Sequence, residues 1–208
     1  MKIAVIGTGN VGKALGLAWA GAGHEVVFGS REPHADGDAG GNLGGQPVRS
    51  QRDAAAAAEV VVLATPWAAT RSILAGIGEL SGKIVVDCTN PLLPGFNGLD
   101  SGGGKSGAER VATWATGAHV VKAFNTTGAS NMAKARALAG PALWMPICGD
   151  DQSAKDKVAA LARELGFEPM DVGPLANAGL LESLAMLWIT IAYKQGVGPG
   201  FSFSVVRT

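Results

Sequence analysis

The chain has 208 residues, 47% hydrophobic and 16% charged, which is enough apolar material for one large domain and too much for a disordered protein. Lysine and arginine number 17, as do aspartate and glutamate, so there is no electrostatic signature of nucleic-acid or membrane binding. Cys88 and Cys148 lie in apolar runs, without metal-binding or redox spacing. We therefore expect a soluble cytoplasmic protein with no metal, no nucleic-acid partner and no membrane partner.

A glycine-rich turn follows the first predicted strand, Lys2–Ile6, and opens an Ala/Leu-rich helix. A strand, the motif GTGNVG and a helix in this order predict a dinucleotide-binding turn. Gly7 would permit the tight turn, Gly9 would admit a pyrophosphate to the backbone, and Gly12 would let the helix pack on the strand. The predicted cofactor contacts here are Gly7, Thr8, Gly9, Asn10, Val11 and Gly12.

The second predicted strand, Val26–Phe28, runs into Gly29, Ser30 and Arg31. An NAD site would place an acidic residue at this strand end for the ribose 2′-hydroxyl, and Glu32 comes one residue too late for that. A hydroxyl and a guanidinium suit a 2′-phosphate instead. We predict NADP(H) binding by Ser30 and Arg31, against the alternative of a glycine turn beside a surface arginine.

A glycine- and aspartate-rich loop is predicted over Pro33–Gln46, where His34 is either a second phosphate contact or, more ordinarily, a solvated residue. Gly104, Lys105 and Ser106 resemble part of a phosphate-binding loop, but Leu99 stands where its first glycine belongs and no strand precedes it. We therefore predict a loop at 94–107, with Lys105 and Ser106 leading into a helix. No function is assigned to that loop.

Polar residues follow three later predicted strands, Val60–Ala64, Ile84–Asp87 and His119–Ala123. Open α/β sheets bind ligands at the carboxyl ends of their strands, so these turns are predicted to meet the cofactor or the substrate. Packing is an equal alternative for Trp67, and Lys122 could face either a ligand or solvent. The predicted cofactor contacts are Ala64, Thr65, Pro66 and Asn90, and the predicted substrate contacts are Trp67, Asn125, Thr126 and Trp188.

Helices alternate with strands along the whole chain, which predicts an α/β fold: a Rossmann-type doubly wound, mostly parallel sheet with a small helical C-terminal extension. Pro146 favours a sheet edge for the strand Leu143–Ile147. The predicted helices are Ser50–Ala58, Ala68–Leu80, Ala108–Thr116, Ser130–Leu138 and Ser153–Leu165, and the last predicted strand is Glu168–Val172.

The C-terminal part begins with the most apolar helix, Leu175–Tyr193, whose single charge is Glu182. We expect this helix in the core or at a subunit interface, and hence a homodimer. The alternation in Phe201–Val206 suggests an edge strand or a partner contact. Residues 1–172 are predicted to form the NADP-binding domain, and residues 173–208 to complete the substrate pocket or the dimer interface.

Five motifs make the chain resemble the NADPH-dependent coenzyme F420 reductases, whose nucleotide-binding fold also occurs in the cytoplasmic domain of the STEAP metalloreductases. They are GTGNVG at 7–12, GHEVVFGSR at 23–31, ATPW at 64–67, VVKAFNT at 120–126 and DVGPLANAGLLESLAMLWI at 171–189. The resemblance implies a Rossmann domain, Ser30 and Arg31 on the 2′-phosphate, and hydride transfer between NADPH and a flavin-like ring. It does not imply the deazaflavin itself, so F420, FMN and FAD stay open as acceptors.

The residue inventory leaves two hypotheses about activity. Hydride transfer between stacked rings needs orientation and a dry pocket more than an acid or base, and no catalytic residue is assigned. The leading hypothesis is therefore an NADP(H)-dependent oxidoreductase acting on a flavin-like, small-molecule acceptor. The alternative is an NADPH-binding sensor or scaffold without turnover.

Overall fold

Nine strands form one sheet in the computed structural model, which describes residues 1–33, 42–100, 102–137 and 140–207. Parts of the predicted segments, among them His34, Ser101, Leu138 and Thr208, lie outside these described residues. The strands are β1 (Lys2–Ile6), β2 (Glu25–Ser30), β3 (Asn42–Leu43), β4 (Gln46–Ser50), β5 (Val60–Leu63), β6 (Ile84–Asp87), β7 (His119–Lys122), β8 (Leu143–Gly149) and β9 (Phe167–Asp171).

Helices cover both faces of this sheet. They are α1 (Asn10–Gly21), α2 (Gln51–Ala57), α3 (Trp67–Gly76), α4 (Gly107–Trp114), α5 (Ala129–Lys134), α6 (Gln152–Glu164) and α7 (Ala178–Ile189). Short 3₁₀ turns lie at Pro94–Phe96, Ala135–Ala137 and Leu175–Asn177, and a π turn at Thr190–Lys194.

The strand order is β3-β4-β2-β1-β5-β6-β7-β8-β9, with β1 at the centre of a parallel group. One hydrophobic core lies between the sheet and α1, α5 and α6; a second lies between the sheet and α2, α3, α4 and α7. This arrangement confirms the predicted doubly wound, mostly parallel α/β sheet with a C-terminal helix. From β1, the strands β2 and β4 are added on one side, whereas β5, β6 and β7 are added on the other. In such sheets the ligand-binding crevice opens at the strand where the direction of addition reverses.

The loop prediction over Pro33–Gln46 is wrong at its described end, because β3 begins at Asn42 and β4 at Gln46. Gly44 and Gly45 both have positive φ, of 58° and 82°, and so form a tight hairpin turn. β4 extends the sheet by pairing in parallel with β2, Ser50 opposite Ser30. The sequence did not predict this strand because it contains Pro47, and proline is unusual inside strands.

Strands separated by helices are expected to pair in parallel, and this expectation is wrong for β8, which runs antiparallel to β7. Helix α5 has only six residues and is about 9 Å long, too short to return the chain to the opposite end of the sheet. Pro146 does not mark the sheet edge, which is formed by β9. Its missing N–H is tolerated because β7 pairs with β8 only at Cys148 and Gly149.

Three predicted helix starts are confirmed by their caps. Ser106 accepts a hydrogen bond from the Glu109 amide and Glu109 accepts one from the Ser106 amide, which closes a capping box at α4. Asp151 caps α6, and Ser50 caps α2. Asp150 stands beside Asp151 in the sequence and is likewise predicted to cap α6, but it instead accepts a hydrogen bond from the Leu175 amide at the C-terminal 3₁₀ turn.

The predicted C-terminal helix is confirmed. Leu175–Lys194 is long and apolar enough to cross a membrane by length and composition alone, with 44% of its most apolar window buried in the fold. Leu181, Ala185 and Trp188 face inward. The segment Phe201–Val206 forms no strand, so that part of the prediction is wrong. The division at residue 172, the homodimer, the cytoplasmic location and the absence of membrane and nucleic-acid partners stay predictions.

Candidate functional site

The glycine turn between β1 and α1 has the geometry that its sequence predicts. Gly7 has a φ of 118°, and a Cβ there would strike the Ala64 carbonyl. A Cβ on Gly12 would strike the Gly7 carbonyl, so only glycine lets α1 begin this close to β1. An added Cβ on Gly9 meets nothing within 4 Å, which leaves open space beside the backbone at the start of α1.

A cavity of about 310 Å³ lies beside this turn. It brings together eight of the predicted cofactor contacts, from the ends of β1, β2 and β5: Gly7, Thr8, Gly9, Ser30, Arg31, Ala64, Thr65 and Pro66. The rest of the lining was not predicted and consists of Gly29, Gln51, Ala69 and Ile73. Gln51 was missed because it begins α2, directly after the unpredicted strand β4.

Ser30 and Arg31 stand at the end of β2, as the sequence predicts. Ser30 is buried, and its hydroxyl accepts a hydrogen bond from the Glu32 amide, which fixes the hydroxyl at the cavity wall. Arg31 is exposed at the same wall. The carboxylate of Glu32 lies beyond the strand end, and its residue does not line the cavity.

These features fit a phosphorylated dinucleotide. The first turn of α1 contains no acidic residue, its N-cap is Gly9 without a side-chain cap, and the amide groups there suit a pyrophosphate. For a 2′-phosphate, Arg31 would supply a cation and Ser30 a hydroxyl. Val11 and Gly12 belong to the same turn but do not line the cavity.

Asn90 and Asn125, predicted to contact different ligands, are bonded to each other. The Asn90 amide donates to the Asn125 backbone carbonyl at 2.9 Å, and the Asn125 amide donates to Asn90 Oδ1 at 2.9 Å and to the Leu181 carbonyl at 3.1 Å. Asn125 Oδ1 is buried without a hydrogen-bond partner in the described part of the chain. These contacts join the ends of β6 and β7 to α7, while Thr126 is buried beside them.

Lys122 faces neither ligand nor solvent. Its ammonium lies 2.9 Å from Asp87 Oδ2 and 3.1 Å from Glu182 Oε1, with all three side chains enclosed, and donates to the Thr89 carbonyl. Burial alone would lower the pKa of Lys122, but the two carboxylates outweigh burial and raise the pKa above its ordinary value. Glu182 also accepts hydrogen bonds from the Gly107 and Ala108 amides at the start of α4.

Trp67 packs in a surface cluster at the start of α3. The Arg110 guanidinium lies 4.6 Å from the centre of the Trp67 ring and 5.5 Å from that of Trp114, and Asp100 holds the guanidinium at 2.7 Å. The hydrogen bond from Arg110 holds the pKa of Asp100 below its ordinary value. These contacts favour the packing alternative for Trp67, and its substrate contact stays a prediction.

A second cavity of about 450 Å³ lies between α1, α5 and the C-terminal residues. Asn10, a predicted cofactor contact, is part of its lining. The other lining residues were not predicted: Lys13, Ala14, Gly128, Ala129, Ser130, Ala133, Tyr193 and Pro199. Trp188 is buried next to it, since a Cβ on Gly128 would lie 2.9 Å from the Trp188 ring.

Neither cysteine is a candidate nucleophile. Burial raises the pKa of the Cys88 thiol far above its ordinary value. Burial likewise raises the pKa of Cys148, to about 12. Both thiols therefore stay protonated at neutral pH, as expected for small buried side chains.

Comparisons with known proteins agree with this geometry. The model of the family described as NADP oxidoreductase, coenzyme F420-dependent, matches residues 2–91, which contain the glycine turn and the ends of β2, β5 and β6. The F420-dependent NADP reductase of Methanothermobacter marburgensis is 32% identical over 216 residues, covering 95% of both chains.

Two further similarities extend this result. A crystal structure of a proposed F420-dependent NADP reductase from Arthrobacter sp. FB24 covers 100% of both chains with a TM-score of 0.86 and 35% identity. Rat metalloreductase STEAP3 is 32% identical over 188 residues, which are 89% of this chain and 36% of STEAP3. The chain therefore spans about a third of that relative's length. On the strength of the full-length similarities, this chain belongs to the F420-dependent NADP oxidoreductase family and is an NADP-dependent oxidoreductase.

Proposed function

We propose that this protein transfers hydride between NADPH and a flavin-like acceptor such as F420, FMN or FAD. The observation that carries the proposal is the position of the two cavities. Gly9 lines the first cavity and its neighbour Asn10 lines the second, so both cavities lie beside the glycine turn. A dinucleotide bound over that turn has its adenosine end beside Ser30 and Arg31.

The residues of the first cavity would hold the cofactor. Arg31 and Ser30 bind the 2′-phosphate, the amide groups at the start of α1 bind the pyrophosphate, and Ala64, Thr65 and Pro66 form the opposite wall. The bound cofactor supplies a hydride, which the oxidised acceptor takes up together with one proton. The paired amides of Asn90 and Asn125 keep the ends of β6 and β7 in fixed positions.

The second cavity suits the acceptor in size and chemistry. Its volume is within the range of small-molecule sites, and Tyr193 and Pro199 provide flat apolar surfaces. Lys13 adds a cation for an anionic side chain of the acceptor. The described residues lining the two cavities include no histidine and no carboxylic acid, which fits a reaction governed by the orientation of two rings.

Steady-state oxidation of NADPH with F420, FMN and FAD in turn tests this proposal. We expect turnover with at least one of them, and turnover with none would contradict the proposal. Ala133→Trp, which fills the second cavity, should lower kcat/KM for the acceptor at least about tenfold while leaving the Kd for NADPH within about twofold. Lys134→Trp places the same side chain one residue away, outside the lining, and should leave both constants unchanged.

The alternative of a sensor or scaffold makes a different prediction in the same assays. NADPH would bind tightly, no acceptor would be reduced, and Ala133→Trp would change nothing. The two hypotheses therefore predict opposite results for the reduction of an acceptor and for the effect of Ala133→Trp.

A further inference from the structure

The chain that follows the π turn folds back over the body of the protein. We call residues 196–203 the C-terminal strap. Gly198 donates a backbone hydrogen bond to the Ala192 carbonyl at 2.9 Å, which turns the strap away from the helix axis. The strap then passes α5 and α7 and ends beside β8.

Four hydrogen bonds seat the strap, and each is accepted by one of its backbone carbonyls. Asn131 Nδ2 lies 3.3 Å from the Pro199 carbonyl and 2.7 Å from that of Phe201. Trp188 Nε1 donates to the Phe201 carbonyl at 2.9 Å, and the Trp144 amide donates to the Phe203 carbonyl at 2.8 Å. Asn131 and Trp188 are both buried, and Asn131 Nδ2 also lies 3.0 Å from Thr127 Oγ1, which holds this amide from outside the strap.

Aromatic packing adds to these bonds. The Phe201 ring stacks on Trp188 with centroids 5.5 Å apart and an interplanar angle of 26°, and Phe203 meets Phe201 edge to face at 6.0 Å. Together with Ile189 and Ala192 these rings form a small hydrophobic cluster separate from the two cores of the sheet. The aromatic contacts of the strap therefore belong to neither core of the sheet.

The strap also forms one side of the second cavity. Pro199 lines the same cavity as Asn10, and Tyr193, which precedes the strap, lines it as well. Gly128, on the floor, is so close to the strap that an added Cβ would lie 3.6 Å from the Pro199 carbonyl. The position of Pro199, and with it the width of the cavity, depends on the bonds from Asn131.

We propose that the C-terminal strap is the acceptor-selecting wall of this enzyme, with Asn131 as the positioning residue that holds it. The inference rests on the proposed function, because it assigns the second cavity to the acceptor. A seated strap should favour a compact flavin such as riboflavin, because Pro199 of the strap and Asn10, Lys13 and Ala14 of α1 line the same cavity and limit its size. An acceptor with a large extension, such as FAD, gains relative to riboflavin when the strap is released.

Asn131→Asp tests the strap with a nearly isosteric change. The carboxylate has no N–H to donate and faces the Pro199 and Phe201 carbonyls, so it repels the strap. Asn177→Asp is the matched control, because Asn177 also donates from Nδ2 to a backbone carbonyl, that of Val172, but lies outside both cavities. Phe201→Ala is a second variant that removes the stack on Trp188 and leaves the carbonyl acceptors in place.

Two measurements follow the strap. Amide hydrogen exchange at Trp144, whose N–H is bonded to the strap, should be at least about tenfold faster in both strap variants and unchanged in Asn177→Asp. Riboflavin and FAD binding, followed by flavin fluorescence, should show the riboflavin-to-FAD affinity ratio falling at least about fivefold in the strap variants. The Kd for NADPH should stay within about twofold of that of the unaltered chain. In turnover assays the preference for riboflavin over FAD, expressed as the ratio of their kcat/KM values, should change through KM and not through kcat.

The outcomes separate this inference from the proposed function. Faster exchange at Trp144 with an unchanged affinity ratio would overturn the inference, as would an equal change for both flavins or the absence of any flavin binding. Unchanged exchange in both strap variants would show that these contacts do not hold the strap, and would also overturn it. Flavin binding that responds to the strap, without turnover, would contradict the proposed function alone.

Discussion

The ammonium of Lys122 lies 2.9 Å from the carboxylate of Asp87 at the carboxyl ends of two adjacent strands, and neither side chain is exposed to solvent. Glu182 of α7 completes the group at 3.1 Å. The network thereby joins β6, β7, the start of α4 and the C-terminal helix. Lys122 also binds the Thr89 carbonyl, directly before Asn90, so it fixes the strand ends that border the ligand crevice.

Replacing Lys122 with methionine should destabilise the fold strongly. Lys122→Met keeps most of the side-chain volume but leaves two buried carboxylates without a cation, which typically costs about 3–5 kcal/mol. Urea denaturation should show this loss in the free energy of unfolding. Lys157→Met, at an exposed position of α6, should change it by less than about 0.5 kcal/mol. A loss below about 1 kcal/mol for Lys122→Met would contradict this description of the network.

The capping box of α4 should make part of the stability depend on acid pH. Hydrogen bonds from Ser106 hold the pKa of Glu109 below its ordinary value of 4.5. A lowered pKa in the folded state means that the stabilisation is complete above the ordinary pKa and is lost as the pH falls through the lower, folded value. The difference in thermal midpoint between the unaltered chain and Glu109→Ala should therefore be largest near neutral pH and shrink below about pH 4.5.

The exposed Glu25, on β2, provides the control for that experiment. Its carboxylate lies 3.9 Å from the Lys2 ammonium at an exposed position, so Glu25→Ala should show a difference that is small at every pH. A Glu109→Ala difference that grows on acidification would contradict the role of the ionised carboxylate.

The outer face of α7 is expected to mediate a homodimer. Leu180 and Leu187 lie two turns apart on this helix and are 68% and 51% exposed. Placing a charge in a self-associating apolar face opposes association, so Leu187→Glu should convert a dimer to a monomer in light scattering coupled to size exclusion. Ser183→Glu places the same charge on an exposed position of α7 but keeps both leucines. Comparison of the two variants therefore separates the loss of the leucine contact from the effect of the added charge. A monomeric unaltered chain would contradict the dimer prediction.

Local patterns predicted the turn and the strand ends well, because each depends on neighbouring residues. The glycine spacing at 7–12 fixes the turn between β1 and α1, and Ser30 and Arg31 follow directly from the end of β2. The polar residues after β5, β6 and β7 likewise lie at one edge of the sheet, since parallel strands bring their carboxyl ends together.

Features that depend on distant residues were not predicted. The partners of Lys122 come from positions 87 and 182, and the only sequence signal is a single charge within an apolar helix. The reversal of β8 depends on the length of α5 rather than on the strand itself. Residues 173–208 were predicted to complete the substrate pocket or the dimer interface, but the contacts of the strap were not predicted, because they are made by backbone carbonyls that any sequence would supply.

The lining of the second cavity includes one residue from a local motif and others that depend on the path of the distant chain. Asn10 belongs to a recognisable motif, whereas Pro199 and Tyr193 reach the cavity only because the chain folds back after α7. No local pattern indicates that a residue near the C-terminus of the chain meets the glycine turn.

The most direct test of the cofactor site is the affinity of Arg31→Ala for NADPH and for NADH, measured by calorimetry beside the unaltered chain. The proposed contact of Arg31 with a 2′-phosphate predicts a loss of about 1.5–3 kcal/mol for NADPH and almost none for NADH, which lacks that phosphate. Arg52→Ala, a surface arginine on α2 that does not line the cavity, should leave both affinities unchanged. Equal losses for NADPH and NADH in Arg31→Ala would remove Arg31 from the 2′-phosphate and contradict the assignment of the site.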